Sequence, residues 1–143
     1  MSAILEELSE DECRWLLREP GIGRLAVVVA GEPHIFPVNF ATSGDVVLFR
    51  TGLGLKLEQA IGHPVAFEVD GFDAAAKQRW SVVVHGRAVE ITADTDPFAE
   101  DLRRVPVTPA VPGERLHWVA IYPTQLTGRR FQVSGDFAAP PPT

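Results

Sequence analysis

Between Gly23 and Val133 the chain is a succession of short β-branched and aromatic runs, each closed by a glycine, proline or aspartate turn, without any regular alternation of strand and long helix. Antiparallel neighbours can be joined by a tight turn, whereas parallel ones need a crossover of about a dozen residues or more. The spacing therefore predicts a mainly β fold with short helices: an antiparallel barrel of six or seven strands rather than a doubly wound sheet. Closure would also remove exposed strand edges. With 143 residues, of which 45% are hydrophobic and 22% charged, the chain has the size and make-up of one domain. That domain is expected over residues 1–133, followed by a mobile tail at 134–143 that holds three consecutive prolines.

The local signals are specific. Ser9 and Glu12 have capping-box spacing, and Cys13, Leu16 and Leu17 recur as one helical face, so a short helix should start after Ser9 and stop at Pro20 and Gly21. Cys13 then reads as a core thiol. Leu25–Val29 and His34–Ala41 form a hairpin around Gly31, Glu32 and Pro33, with Phe36, Val38 and Phe40 on one face and Ile35, Pro37 and Asn39 on the other. Pro37 asks for an edge or a bulge. Further strands are expected at Val46–Arg50, Val65–Val69, Trp80–Ile91, about Leu116–Tyr122 and Arg130–Val133, with Gly86 a bend or bulge. Short helices are expected over Leu55–Ile61 and from Asp96 and Pro97 to about Arg104, and Gly71–Lys77 reads as a flexible loop.

Composition excludes several functions. A net charge of −6 works against holding nucleic acid through many phosphates. The longest apolar run, Leu25–Ala30, is far below the ~20 residues of a membrane span, and no leader opens the chain, so a soluble, cytoplasmic protein is expected. One cysteine allows neither an internal disulfide nor a multi-thiolate metal site. His34, His63, His85 and His117 share no ligand spacing, so no metal is expected, although three of them lie in or beside strands. Gly21, Gly23 and Ala26 fit G-x-G-x-x-A, but a helix precedes and a strand follows, the reverse of a dinucleotide site, so they read as a helix-to-strand turn. Glu68 and Asp70 share one strand face, where paired carboxylates could serve acid and base work if buried.

The most informative segment is Phe49-Arg50-Thr51-Gly52-Leu53-Gly54-Leu55-Lys56-Leu57, which sets a guanidinium, a hydroxyl and an ammonium around a glycine-rich turn that opens a helix. Arginine can bind two phosphate oxygens at once, and turn and helix N–H groups add donors. The segment lacks the spacing of a nucleotide-hydrolase loop. The same residues would also serve as solvated charges beside a surface turn.

In order along the chain, G-R-L-A, P-V-N-F, F-R-T-G-x-G-x-K-L, P-V-A-F-E-V-D, W-S-V-V-V-x-G and I-x-P-x-x-L-x-G-R-R resemble the pyridoxamine 5'-phosphate oxidase-like family of FMN-binding split β-barrels, in its short branch, over Leu8 to Phe131. The resemblance implies that Arg50, Thr51 and Lys56, with Leu57 beside them, hold the phosphate of FMN. It implies that Pro37, Val38, Asn39 and Phe40 run along the isoalloxazine ring, and that Trp80, Ser81 and Arg129 (or Arg130) add cofactor contacts. It also implies a homodimer with the flavin between subunits. Asn39 stands where related nitroimidazole-type reductases carry a histidine, and no C-terminal substrate segment with arginine and tryptophan is present, so oxidation of vitamin B6 itself is not expected. The expected activity is a flavin-dependent oxidoreductase acting on a small molecule with a reduced nicotinamide as donor. The rivals are a reductase of the same fold using a deazaflavin coenzyme and a flavin-binding sensor or store without turnover.

Overall fold

A computed structural model describes residues 5–52, 54–92, 97–108 and 117–133, and for Leu55 and Lys56 the backbone alone. The elements run β1 (Leu5–Glu7), α1 (Glu10–Leu17), β2 (Gly21–Val29), β3 (Glu32–Ser43), β4 (Val46–Thr51), α2 (Leu55–Ala60), β5 (Pro64–Asp73), β6 (Gln78–Glu90), α3 (Ala99–Leu102) and β7 (His117–Gln132). Every strand pairing is antiparallel, in the order β1-β7-β4-β3-β2-β5-β6, and β6 pairs again with β7. That last ladder closes the sheet into a barrel, and β1 adds to the far end of β7 through Glu7 opposite Arg129.

The helix and turn chemistry follows the local sequence. Ser9 caps α1 with a reciprocal capping box to Glu12, and the hydrogen bonds from Ser9, helped by Arg130, hold the Glu12 carboxyl below its ordinary range. The first hairpin turns at Ala30 and Gly31, with φ of 51° and 78°, the two positive values that a type I′ turn requires. The turn thus lies one residue earlier than expected, and β3 already begins at Glu32. Pro37 sits opposite Arg24, outside the stretch of β3 that pairs with β4, which starts only at Phe40. It therefore lies on a local edge, where its missing N–H breaks no ladder.

Inside the barrel Leu25, Phe49, Phe67, Val82, Val84, Val119 and Ile121 are fully buried, each worth roughly 2 kcal/mol in area removed from water. Phe40 meets Phe67 edge to face at 5.2 Å. Cys13 and Leu17 of α1 and Leu57 and Ala60 of α2 join this core. Burial pushes the Cys13 thiol up, as suits a buried group. A second cluster lies outside the barrel, where Ala41, Leu48 and Ala120 are covered by Ala99 and Leu102 of α3 together with Val107.

Four expectations are corrected. The expected loop 71–77 is shorter: β5 runs to Asp73 and β6 starts at Gln78, with Gly71 opposite Trp80, so only 74–77 turns. The last two strands are one, because β7 continues through Pro123 and Gly128; Gly86 opposite Pro123 sits at the register shift foreseen for it. A side chain at Gly86 would run into the carbonyl oxygen of Tyr122. Gly21 and Gly23 are not in a turn but in β2, and Gly23 is required because the Phe67 ring fills the space of its missing Cβ. The third helix starts at Ala99 after Phe98, not at Pro97, while Asp96, Pro109, Pro112, Leu116 and the stretch 134–143 lie outside the described residues.

Candidate functional site

Strand alternation decides what the Arg50 segment can do. Val47 and Phe49 point into the barrel core, while Leu48 and Arg50 belong to the outer face. There Arg50 is opposite Trp118 in the β4–β7 ladder, with its Cζ 5.1 Å from the centre of the indole ring. Its Nε is buried and has no hydrogen-bond partner among the described residues. An orphaned donor of this kind costs stability unless an acceptor arrives, and an anionic group at this spot would supply one. Beyond Phe40 opposite Phe49 the next positions on the two strands are Asn39 and Arg50, so Asn39, Arg50 and Trp118 follow one another across the outer face of β3, β4 and β7. Asn39 also lines a cavity of about 200 Å³ with Pro20, Gly21, Phe40, Pro106 and Thr108.

Thr51 ends β4 on the alternate face, opposite His117, and donates its hydroxyl to the Gly52 carbonyl at 3.1 Å. A side chain at Gly54 would meet nothing within 4 Å, so the space beside this glycine is open. With six residues α2 contributes little macrodipole, and positive charge at the turn must come from side chains. The backbone of Lys56 lies in the first turn of α2, four residues after Gly52, and its side chain is outside the described part. Leu57 is a core residue, as are Val38 and Phe40. Of the Pro37 to Phe40 strand, the side chains of Pro37 and Asn39 face outward, and Val38 offers a ligand only its backbone.

Trp80, Ser81 and Arg129 lie elsewhere. Trp80 packs on the barrel core and fills the space beside Gly71, a structural position. Ser81 is opposite Arg129, and both line a cavity of about 400 Å³ with Glu7, Leu8, Thr127 and Gly128. Arg130, the alternative to Arg129, is tied to Glu12 at 3.3 Å. Trp118 and Arg129 are 11 positions apart on β7, about 35 Å of strand length. Ser81 and Arg129 are thus not brought beside Arg50 along this strand.

Glu68 and Asp70 form an ion-pair cluster, both accepting from Arg24 Nη1 at 3.0 and 3.1 Å. Burial holds the Glu68 carboxyl above its ordinary range, the hydrogen bond and charge of Asp70 push the same way, and Arg24 pulls it back. The pair is half exposed and engaged, which does not suit acid and base work. Among the described residues no three His, Cys, Asp or Glu side chains gather as metal ligands, and no helix is long and apolar enough to cross a membrane.

Sequence reasoning did not group Trp118 with Arg50, and it weighed His117 only as a metal ligand, not as the neighbour of Thr51. Their only local signal is an aromatic pair at the head of a strand; their meaning comes from register with Arg50 and Thr51.

The family model for pyridoxamine 5'-phosphate oxidase matches residues 9–130. The fold is similar to that of an FAD-binding protein from Mycobacterium smegmatis, 39% identical, with a TM-score of 0.74 over 89% of this chain and 98% of that one. It is also similar to an FAD-binding protein from Mesorhizobium loti, 25% identical, with a TM-score of 0.75 over 92% of this chain and 100% of that one. The uncharacterized protein Rv3129 of Mycobacterium tuberculosis is 38% identical over 90 residues, 62% of this chain and 78% of the relative. With the seven-stranded closed sheet and the matched span together, the chain belongs to the pyridoxamine 5'-phosphate oxidase family and has its flavin-binding split-barrel fold.

Proposed function

We propose that this protein binds FMN on the sheet face that carries Asn39 and Arg50, beside the turn after Thr51, and acts as a homodimeric flavin-dependent oxidoreductase on a small molecule. The observation that carries the reading is the buried Arg50 Nε with no partner among the described residues, held against Trp118 where β4 opens into the glycine-rich turn. Its remedy is an acceptor, and a phosphate suits a guanidinium best. When bound, the flavin would supply two-electron chemistry; the chain supplies binding, orientation and electrostatics. Asn39 would address the polar edge of the ring, and the aromatic wall of Trp118 keeps the guanidinium in place.

The placing of the two groups along β7 is what supports a homodimer in this reading. Ser81 and Arg129 lie 11 positions along β7 from Trp118, the neighbour of Arg50, and in the proposed dimer a second copy would bring them to the flavin. FAD is a second reading, favoured by the 39% identical FAD-binding protein of Mycobacterium smegmatis; it carries the same phosphate next to the flavin. A deazaflavin coenzyme, with its longer acidic tail, fits less well with a chain of net charge −6.

Titration of the purified protein with FMN, FAD and riboflavin, read by flavin fluorescence, tests the proposal. FMN or FAD should bind at least roughly tenfold more tightly than riboflavin, the worth of a charge-assisted phosphate contact. Protein that binds none of the three contradicts it. Rapid mixing of the flavin-loaded protein with reduced nicotinamides then separates an oxidoreductase, which bleaches the flavin, from a store, which does not.

A further inference from the structure

We propose that the outer face of β2, β3 and β5 seats a second copy of this chain, related by a twofold axis running along those strands, so that Asn39 of each copy shares a groove with Ser81 and Arg129 of the other; this rests on the reading above that a second copy completes the flavin site. On that face Ile22, Val28 and Ile35 are 64, 63 and 68% exposed. Ile22 and Val28 alternate along β2 with the core residues Leu25 and Val27, and Ile35 stands opposite Ala26, which faces the same way. Ile35, Ala26 and Ala66 line a hollow of about 280 Å³ together with Arg24, Glu68 and Asp70. Large aliphatic side chains gathered on one exposed face mark a surface that another molecule covers.

Three observations name the occupant. Pro33 and Pro37 lie on the stretch of β3 that has no β4 partner, and neither has an N–H to offer, so a peptide adding itself as a strand finds a blunted edge while the face stays open. The charges on the face answer one another, because Glu68 and Asp70 both accept from Arg24, which leaves no single-sign field for a highly charged partner. The third observation is level. Pro37, Arg24, Glu68 and Val83 stand abreast across β3, β2, β5 and β6. Two positions further along, Asn39 is opposite Ile22 and Asp70 is opposite Ser81, so Asn39 and Ser81 flank the apolar face at one height. A twofold axis along the strands keeps that height and exchanges the flanks. One self-complementary contact then makes two equal grooves, each with the Asn39 flank of one copy and the Ser81 flank of the other.

The test runs the full chain without flavin in sedimentation velocity and measures FMN affinity on the same samples. Wild type should be a dimer. Ile35→Glu and Val28→Glu, both at exposed positions, should be monomeric with the melting transition kept, and should lose FMN affinity at least roughly tenfold, the worth of one charge-assisted hydrogen bond from the other copy. Trp15→Glu, at a position 61% exposed on α1, should stay dimeric and bind FMN as wild type does. For the axis, differently tagged Pro37→Cys and Val83→Cys chains are co-expressed and treated with a short bismaleimide, the buried Cys13 staying unlabelled. A cross-linked product carrying both tags is expected, and none from Pro37→Cys alone. A monomeric wild type, folded glutamate variants that stay dimeric, or a product from Pro37→Cys alone overturns the inference. A dimer of this arrangement that takes up no flavin overturns the functional reading and leaves the interface standing; monomeric glutamate variants that bind FMN at wild-type strength overturn the shared groove and leave the flavin on Arg50.

Discussion

Arg50 lies with its guanidinium carbon 5.1 Å from the centre of the Trp118 ring, its Nε shut away from solvent without a hydrogen-bond partner among the described residues. Such a contact keeps a cation in place but leaves a donor unsatisfied. In Arg50→Ala the unsatisfied donor is gone, so the melting temperature of the ligand-free protein should hold or rise slightly. FMN affinity should fall by about 1.5–3 kcal/mol, the range for hydrogen bonds to charged groups. Calorimetry with and without FMN reads both quantities. A variant that melts early yet binds FMN normally would make Arg50 a structural residue instead.

Gly23 offers a prediction about the fold alone. The Phe67 ring occupies the space a side chain at this position would need, and Phe67 is fully buried with Phe40 edge-on against it. Gly23→Ala should therefore destabilise the protein by about 1–3 kcal/mol through overpacking, measured by urea denaturation. Pairing it with Phe67→Leu should restore part of the loss, since the smaller side chain vacates the contested volume. A neutral Gly23→Ala would show that β2 and β5 can shift apart at no cost.

These two sites show why one part of the molecule was legible in the sequence and another was not. The capping box of Ser9 and Glu12, the alternation of Phe36, Val38 and Phe40, and the bulge at Gly86 are written within a few residues and appear as expected. The expected loop began too early because Gly71 looks like a linker residue, whereas pairing of Gly71 and Phe72 with Trp80 and Arg79 on β6 draws them into the sheet; the alanines after Asp73 do turn. Pro123 and Gly128 look like strand breakers, yet the first lies at a register shift and the second makes room for the Cys13 sulfur, 2.7 Å from where its Cβ would be. β1 carries no pattern of its own and exists because β7 offers it an edge. At the site, Arg50 and Thr51 were visible as residues, but their separation onto two faces, and the neighbours Trp118 and His117, depend on a partner strand distant in sequence.

The Arg24, Glu68 and Asp70 cluster predicts a pH effect with a definite sign. Glu68 is held above its ordinary range by burial and by Asp70, so the folded protein keeps that proton at a pH where the unfolded chain has released it. Stability then falls as pH rises from the usual carboxylate range through the raised folded value. Glu68→Gln removes the cost while Asp70 still pairs with Arg24. The variant should gain melting temperature over wild type at pH 7, and the gain should shrink toward pH 4. A difference independent of pH would mean that Glu68 acts by packing and not by charge.

The composite site predicts complementation. If each cofactor lies between the Asn39–Arg50 half-site of one copy and the Ser81–Arg129 half-site of another, Arg50→Ala and Arg129→Ala damage different halves of the same cleft. Each homodimer then has two defective sites. A mixed dimer has one site carrying both lesions and one carrying none, so co-expressing the two variants with different affinity tags and purifying the doubly tagged species should give about half a flavin per chain at FMN concentrations where either parent takes up almost none. The arithmetic depends only on which chain donates each arginine. Were both arginines drawn from one chain, each site of the mixed dimer would keep one lesion and no full-affinity site would return. Because Arg129 lies opposite Ser81 on the β6–β7 ladder and lines the 400 Å³ cavity, Ser81→Ala should complement Arg50→Ala in the same way and fail to complement Arg129→Ala.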